Sequence, residues 1–159
     1  MLFTPTKSLD SILQVTPELL HEMGVTALIL DIDNTMTTHD NPVPLTGLDR
    51  WLDTMRRGGI KMMIVSNNRS ERVTPFAELL GLDFVPRGAK PLTRGYRQAA
   101  KKMGVSRSEI CTIGDQLFTD ILGAKLFGIR SILVEPIEPE KTLFFRIKRA
   151  LEKPFRSKK

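Results

Sequence analysis

The chain has 159 residues, 41% hydrophobic and 26% charged, a balance that fits one globular domain with a real core and excludes a disordered or repetitive chain. A single cysteine, Cys111, excludes an internal disulfide framework and a multi-cysteine zinc site. The net charge of +6 is uneven: residues 141–159 hold eight Lys/Arg and one acid, +7 in all, which leaves −1 for residues 1–140.

In chain order, apolar runs alternate with helical patterns, the signature of βαβ units and a parallel sheet. Thr16-Pro17-Glu18 opens a short helix that Gly24 stops. Val25 to Asp31 is an unbroken Val/Ile/Leu-rich run, the pattern of a strand buried on both faces. Thr46 to Arg57 reads as a helix with Leu48, Leu52 and Met55 on one face, closed by Gly58-Gly59. Strand Ile60 to Ser66 follows, then a helix from about Ser70 to Leu80 in spite of Pro75. Asp83 to Pro86 is a short strand, Thr93 to Met103 a helix, and Ser106 to Glu109 a turn into strand Ile110 to Ile113. Cys111 sits in that last run and reads as a packed core thiol. Leu117 to Phe127 is helical, Arg130 to Val134 the last strand, and the rest a connector and basic tail. The expected organisation is one domain over 1–140 and an amphipathic tail over 141–159.

Each strand ends in residues suited to phosphoryl chemistry. Asp31 and Asp33 follow the first buried run, Ser66-Asn67-Asn68 the second, Lys90-Pro91 the short strand, and Asp115 with Asp120 the strand at Ile113. In a parallel sheet these ends share one edge, where ligands bind. A turn at Asp31 lets both of its carboxylates converge there, and two converging acids call for a cation. An aspartate can attack phosphorus, and a second acid can protonate the leaving oxygen and then activate water. Carboxylates and carbonyls are hard ligands matching Mg²⁺, while a hydroxyl and an ammonium stabilise the phosphoryl oxygens.

The strings DIDNT, VSNN, GAKP and GDQLFTD, in this order over residues 31–120, resemble the four motifs of the haloacid-dehalogenase-like (HAD) phosphohydrolases. IVSNN, the Lys-Pro pair, GDQLFTD and the basic tail are most similar to its subclass III, YqeG-type phosphatases. The resemblance implies a Rossmann-like three-layer α/β fold with a mostly parallel sheet, and Mg²⁺-dependent phosphomonoester hydrolysis. By motif position it makes Asp31 the nucleophile and Asp33 the general acid/base. Thr35, Ser66 and Asn67 become phosphate-site partners, and Lys90 contacts the phosphoryl group and Asp31. Asp115 becomes the main Mg²⁺ ligand beside Asp31 and the carbonyl of Asp33, with Asp120 in an outer role. A related mitochondrial enzyme of that group acts on phosphatidylglycerophosphate.

Plainer roles stand beside these. Asp120 also fits a helix cap, Asn34 and Thr119 fit loop formers, and His39 and Asp40 fit exposed positions. In the tail, Leu143, Ile147, Leu151 and Phe155 recur every four residues among basic side chains, so three readings stay open. The tail is a helix packed on the body, a contact with an anionic membrane surface, or, with no recognition motif to support it, a nucleic-acid arm.

Between Asp31 and Ser66 lie 34 residues, and between Ser66 and Lys90 lie 23, too few for the cap domains that the family inserts there. An open site admits a phosphate on something large, and with the basic tail this favours a lipid phosphate. The alternatives are a soluble metabolite or phosphoprotein as substrate, or a tail-mediated binding protein with vestigial activity. No run approaches ~18 apolar residues and the N-terminus lacks a signal-peptide pattern, so the expected location is cytoplasmic, with peripheral contact at the inner membrane face.

Overall fold

The computed structural model of the chain describes residues 1–140 and 142–156. Six strands form one sheet in which every pairing is parallel: β1 (Lys7–Leu9), β2 (Ala27–Leu30), β3 (Lys61–Val65), β4 (Asp83–Val85), β5 (Ile110–Gly114) and β6 (Arg130–Val134). Their order is β1-β6-β5-β2-β3-β4, so β2, β5 and β3 lie in the middle and their carboxyl ends share one edge. Helices α1 (Pro17–Glu22), α2 (Leu48–Arg57), α3 (Ser70–Leu80), α4 (Arg94–Met103) and α5 (Leu122–Phe127) cover the faces, and α6 (Leu143–Glu152) follows the last strand.

β2 shows why its run is apolar throughout. Leu28 and Leu30 point into the core under α2 and α3, Ala27 and Ile29 into the core under α4 and α5, and all four are fully buried. Cys111 and Ile113 join the first core, which makes Cys111 an inert packed thiol; burial pushes it up to about 12. Trp51 on α2 ties its indole N–H to the Val15 carbonyl at 2.9 Å, locking the N-terminal segment to this layer.

Helix boundaries follow local signals. Thr16 caps α1 through a bond from the Leu19 N–H at 3.1 Å, with Pro17 in the first turn. α3 and α4 both stop at a left-handed glycine, Gly81 and Gly104, each at φ 66°. Pro75 lies inside α3 without ending it, because it is exposed and frees only the solvent-side carbonyl one turn earlier.

Two elements differ from the sequence expectation. β1 is a three-residue edge strand, too short for any periodicity, and its partner β6 is more than a hundred residues away. Residues Leu117–Ile121 form a π turn before α5 rather than the start of a regular helix. The interval from Asp31 to Ser66 holds only α2 and β3, and that from Ser66 to Lys90 only α3 and β4, so no domain is inserted at either place.

Candidate active site

Asp31 is the first residue beyond β2, and its N–H still donates to the Ile113 carbonyl of β5 at 3.1 Å. The sheet therefore pins its backbone. The chain then reverses as the N–H groups of Thr35 and Met36 converge on the Ile32 carbonyl, with Asn34 left-handed at φ 57°. Asn34 acts here as the loop former that its residue type suggests.

The loop after β4 is clamped by the loop after β3. Gly88 N–H donates to the Ser66 carbonyl at 2.8 Å, and Arg87 N–H to the Asn68 carbonyl at 2.9 Å. The Asn67 amide closes a reciprocal pair with Lys90, accepting from its N–H at 2.7 Å and donating to its carbonyl at 2.9 Å. Both ends of Asn67 are thus spent on the main chain of Lys90, so Asn67 sets where that lysine stands. Lys90 Nζ then donates to Asp31 Oδ1 at 3.0 Å and to Asp120 Oδ1 at 2.6 Å, with its side chain 3% exposed.

Asp115 follows β5 directly, and the π turn swings Asp120 back over it. Tyr96 Oη donates to the Asp120 carbonyl at 3.0 Å, and the Gln116 N–H donates to its carboxylate at 3.2 Å. Carboxylate oxygens of Asp31, Asp115 and Asp120 all lie within 4.8 Å of one another. Burial, with Asp120 and Asp115 adding, pushes Asp31 well above the ordinary carboxylate value against the pull of Lys90. Burial likewise pushes Asp115 up to about 7, opposed by Arg149 and reinforced by Asp120. Burial alone would lower Lys90, but Asp120 and Asp31 outweigh it and hold the ammonium charged. Three carboxylates, two of them fully buried, form a hard, all-oxygen, negatively charged donor set, which fits a divalent cation such as Mg²⁺ and offers no soft ligand. The Asp120 carboxylate holds Lys90 and also lies within reach of the cluster.

Asp33 lines the same cavity, but its carboxylate hydrogen-bonds to groups outside this cluster. Oδ1 accepts from Arg72 at 2.9 Å and from the Asp40 N–H at 2.9 Å, and Oδ2 accepts from the Asn68 amide at 2.5 Å. Sequence reasoning did not single out Arg72, and it placed Asn68 at the strand end without giving it a role. Asn68 stood within the quoted VSNN string, whereas Arg72 had no signal beyond lying one helical turn into α3.

The cavity measures about 190 Å³, lined by Asp31, Asp33, Ser66, Lys90, His39 and Phe145 among others. Thr35, expected at the phosphate site, is not in this wall; its hydroxyl donates instead to Asp115 Oδ1 at 3.5 Å. His39, expected to be solvent-exposed, lies on the rim with its ring 5.0 Å from that of Phe145.

Phe145 and Lys148 come from α6, which packs on the body and completes the cavity wall. It packs with its polar side inward. Arg149 meets Asp115 at 2.5 Å, Glu140 at 2.8 Å and Glu152 at 3.0 Å, while Leu143, Phe144, Ile147 and Leu151 are 53–73% exposed. In this structure α6 lies against the body with its apolar face outward.

Residues 6–128 match the family description "haloacid dehalogenase-like hydrolase". The chain is 36% identical over 151 residues to the probable phosphatase YqeG of Bacillus subtilis, covering 95% of this chain and 88% of that one. Among solved structures, a 4-nitrophenylphosphatase from Thermotoga maritima superposes with a TM-score of 0.62 at 15% identity, covering 77% of this chain and 90% of its own. A Listeria monocytogenes protein of unassigned function superposes at 0.61 and 20% identity, covering 74% and 85%. These two likenesses concern the fold. The family match over most of the chain, joined to the cluster at the strand ends, places the protein in the haloacid dehalogenase-like hydrolase family.

Proposed function

We propose that this phosphatase hydrolyses a phosphomonoester through an aspartyl-phosphate on Asp31, with Mg²⁺ as its cofactor and a lipid-borne phosphate as its substrate. The observation that carries the chemistry is Lys90 bridging Asp31 and Asp120 in a cluster that includes Asp115. An Asp31 oxygen attacks phosphorus, the ester P–O bond breaks, and Asp33 gives its proton to the departing oxygen. Water, deprotonated by Asp33, then attacks the phosphorus and frees phosphate and Asp31. Arg72 and the Asp40 N–H occupy Oδ1 and the Asn68 amide takes one site on Oδ2, which leaves a lone pair of Oδ2 to carry the proton. Lys90 and the Ser66 hydroxyl stabilise the non-bridging oxygens. Asp31, Asp115 and the backbone carbonyl of Asp33 would hold the cation, with the Asp120 carboxylate beside them. When bound, it supplies Lewis-acid neutralisation of the attacking acid and the phosphate.

Two features support a phosphate on a large carrier. The cavity of about 190 Å³ is smaller than the ~300–1,000 Å³ that encloses a drug-sized ligand, so it takes the phosphate and leaves the carrier outside. Beside its mouth, α6 displays Leu143, Phe144, Ile147 and Leu151 to solvent, with Lys148 in the cavity wall. An outward apolar face flanked by cations suits an anionic bilayer. Among the described residues no helix is long and apolar enough to cross one, so the contact is peripheral.

Asp31→Asn keeps the shape and removes the anionic nucleophile, so phosphate release should vanish; full turnover in that variant refutes the chemistry. Ile147→Ser with Leu151→Ser should spare a soluble aryl phosphate and lower release from phosphatidylglycerophosphate in anionic vesicles. Equal rates on vesicles, or a soluble metabolite far outpacing the lipid, would return the substrate to the soluble class.

A further inference from the structure

The C-terminal helix is fastened to the body by ions rather than by its apolar face, and the fastening point is Asp115. One Arg149 nitrogen donates to Asp115 Oδ2 at 2.5 Å and to Glu140 Oε1 at 2.8 Å. The other donates to the Asp115 carbonyl at 2.7 Å and to Glu152 Oε2 at 3.0 Å. One guanidinium thus grips both the side chain and the main chain of one residue. Arg156 adds a bond to the same carbonyl at 3.0 Å and pairs with Glu152 at 3.4 Å.

The network also reaches two of the loops that build the site. Glu140 accepts from the Asn34 amide at 3.3 Å, in the turn after Asp33. Glu152 accepts from the Phe118 N–H at 3.3 Å, in the π turn that carries Asp120. Asp115 is fully buried, and Glu152 and Glu140 are 1% and 8% exposed, so these acids depend mainly on the arginines for their pairing. The two guanidiniums face four carboxylates, Asp115, Glu140, Glu152 and Glu135, and so leave no excess positive charge to repel a cation.

We propose that Arg149 is a positioning residue for Asp115, and that through it the seating of α6 sets the divalent-cation affinity of the site. The inference rests on Asp115 being a metal ligand. A carboxylate with one oxygen and its own carbonyl held by a rigid fork cannot rotate freely, and outer partners of this kind orient ligands for metals. The planar five-donor guanidinium can span four acceptors, whereas a lysine ammonium is a point charge. Linkage makes the effect reciprocal: a cation on Asp115 must steady α6 by the same factor.

The experiment measures Mn²⁺ binding to the full chain without substrate, by the electron paramagnetic resonance of free Mn²⁺. Arg149→Met should weaken binding ~10–100-fold. Arg149→Lys, which keeps the charge and guards against a misfolded Met variant, should recover only part of that loss. Arg146→Met, whose parent side chain donates to the Glu140 carbonyl and not to Asp115, should stay within twofold. Amide hydrogen exchange of α6 should slow on saturation with Mg²⁺ in the parent and not in Arg149→Met. Parent-like affinity in Arg149→Met or in Arg149→Lys, with Asp115→Asn weakened, overturns the positioning role alone. Parent-like affinity in Asp115→Asn instead overturns the metal site on which it rests.

Discussion

Lys90→Met isolates the electrostatic core of the site, because methionine fills much the same volume and carries no charge. In the parent, Nζ stands 3.0 Å from Asp31 and 2.6 Å from Asp120, with the lysine side chain 3% and the Asp120 side chain 1% exposed. At an effective dielectric of about 20, each pair is worth about 6 kcal/mol before desolvation. Burying the ammonium offsets much of this, and removing one partner of a buried pair costs about 3–5 kcal/mol. For a domain of this size that is a fall in Tm of roughly 6–20 °C. The cost has a pH signature. Asp31 and Asp115 are already raised by burial and mutual repulsion, and losing Lys90 raises Asp31 further. The penalty should therefore grow from about pH 5 to about pH 8, the range over which Asp115 ionises, and shrink on acidification as the acids take up protons. Melting curves by circular dichroism in chelator, across that range, read it directly. A Lys90→Met melting point within about 2 °C of the parent at about pH 8 would refute the reasoning, as would a deficit that grows on acidification.

In chelator the parent itself should lose stability as pH rises through about 7, since Asp115 is raised from the ordinary carboxylate value and ionises there beside other acids. Mg²⁺ should restore it, so the gain in Tm on adding Mg²⁺ should be larger at about pH 8 than at about pH 5; a pH-independent gain contradicts this. Gly114→Ala would drive a Cβ into the Asp120 side chain, whose own Cβ stands 2.7 Å from the new atom, so both Mn²⁺ affinity and turnover should fall, and parent-like values would show that Asp120 can move aside. Asp33→Asn should slow an alkyl phosphate ~10²–10⁴-fold and an activated aryl phosphate less in its first step, and equal first-step losses in rapid-quench assays argue against its role as acid.

Much of this protein was legible in the chain because its signals are local. β2 is buried on both faces, and that alone demands the continuous Ala27–Leu30 run; the polar residues that end β2, β3 and β5 must meet because parallel strands share one carboxyl edge. Asp31, Ser66, Lys90 and Asp115 follow from that logic, as do the helices that end in glycine. Only the tertiary structure decided how the remaining groups are partnered. Thr35 turns to Asp115, Asn67 to the main chain of Lys90, and Asp33 to Arg72 and Asn68, because a hydrogen bond depends on where loops from distant strands come to lie. The tail shows the difference most plainly. Its four-residue repeat announces an apolar face on α6, and periodicity cannot say whether that face is buried. The body meets α6 with a cluster of buried acids, Asp115 and Glu140, so the arginine side docks and the leucine side stays outside. An unpaired buried carboxylate costs more than an exposed leucine, and that inequality, absent from any local pattern, sets which way the helix faces.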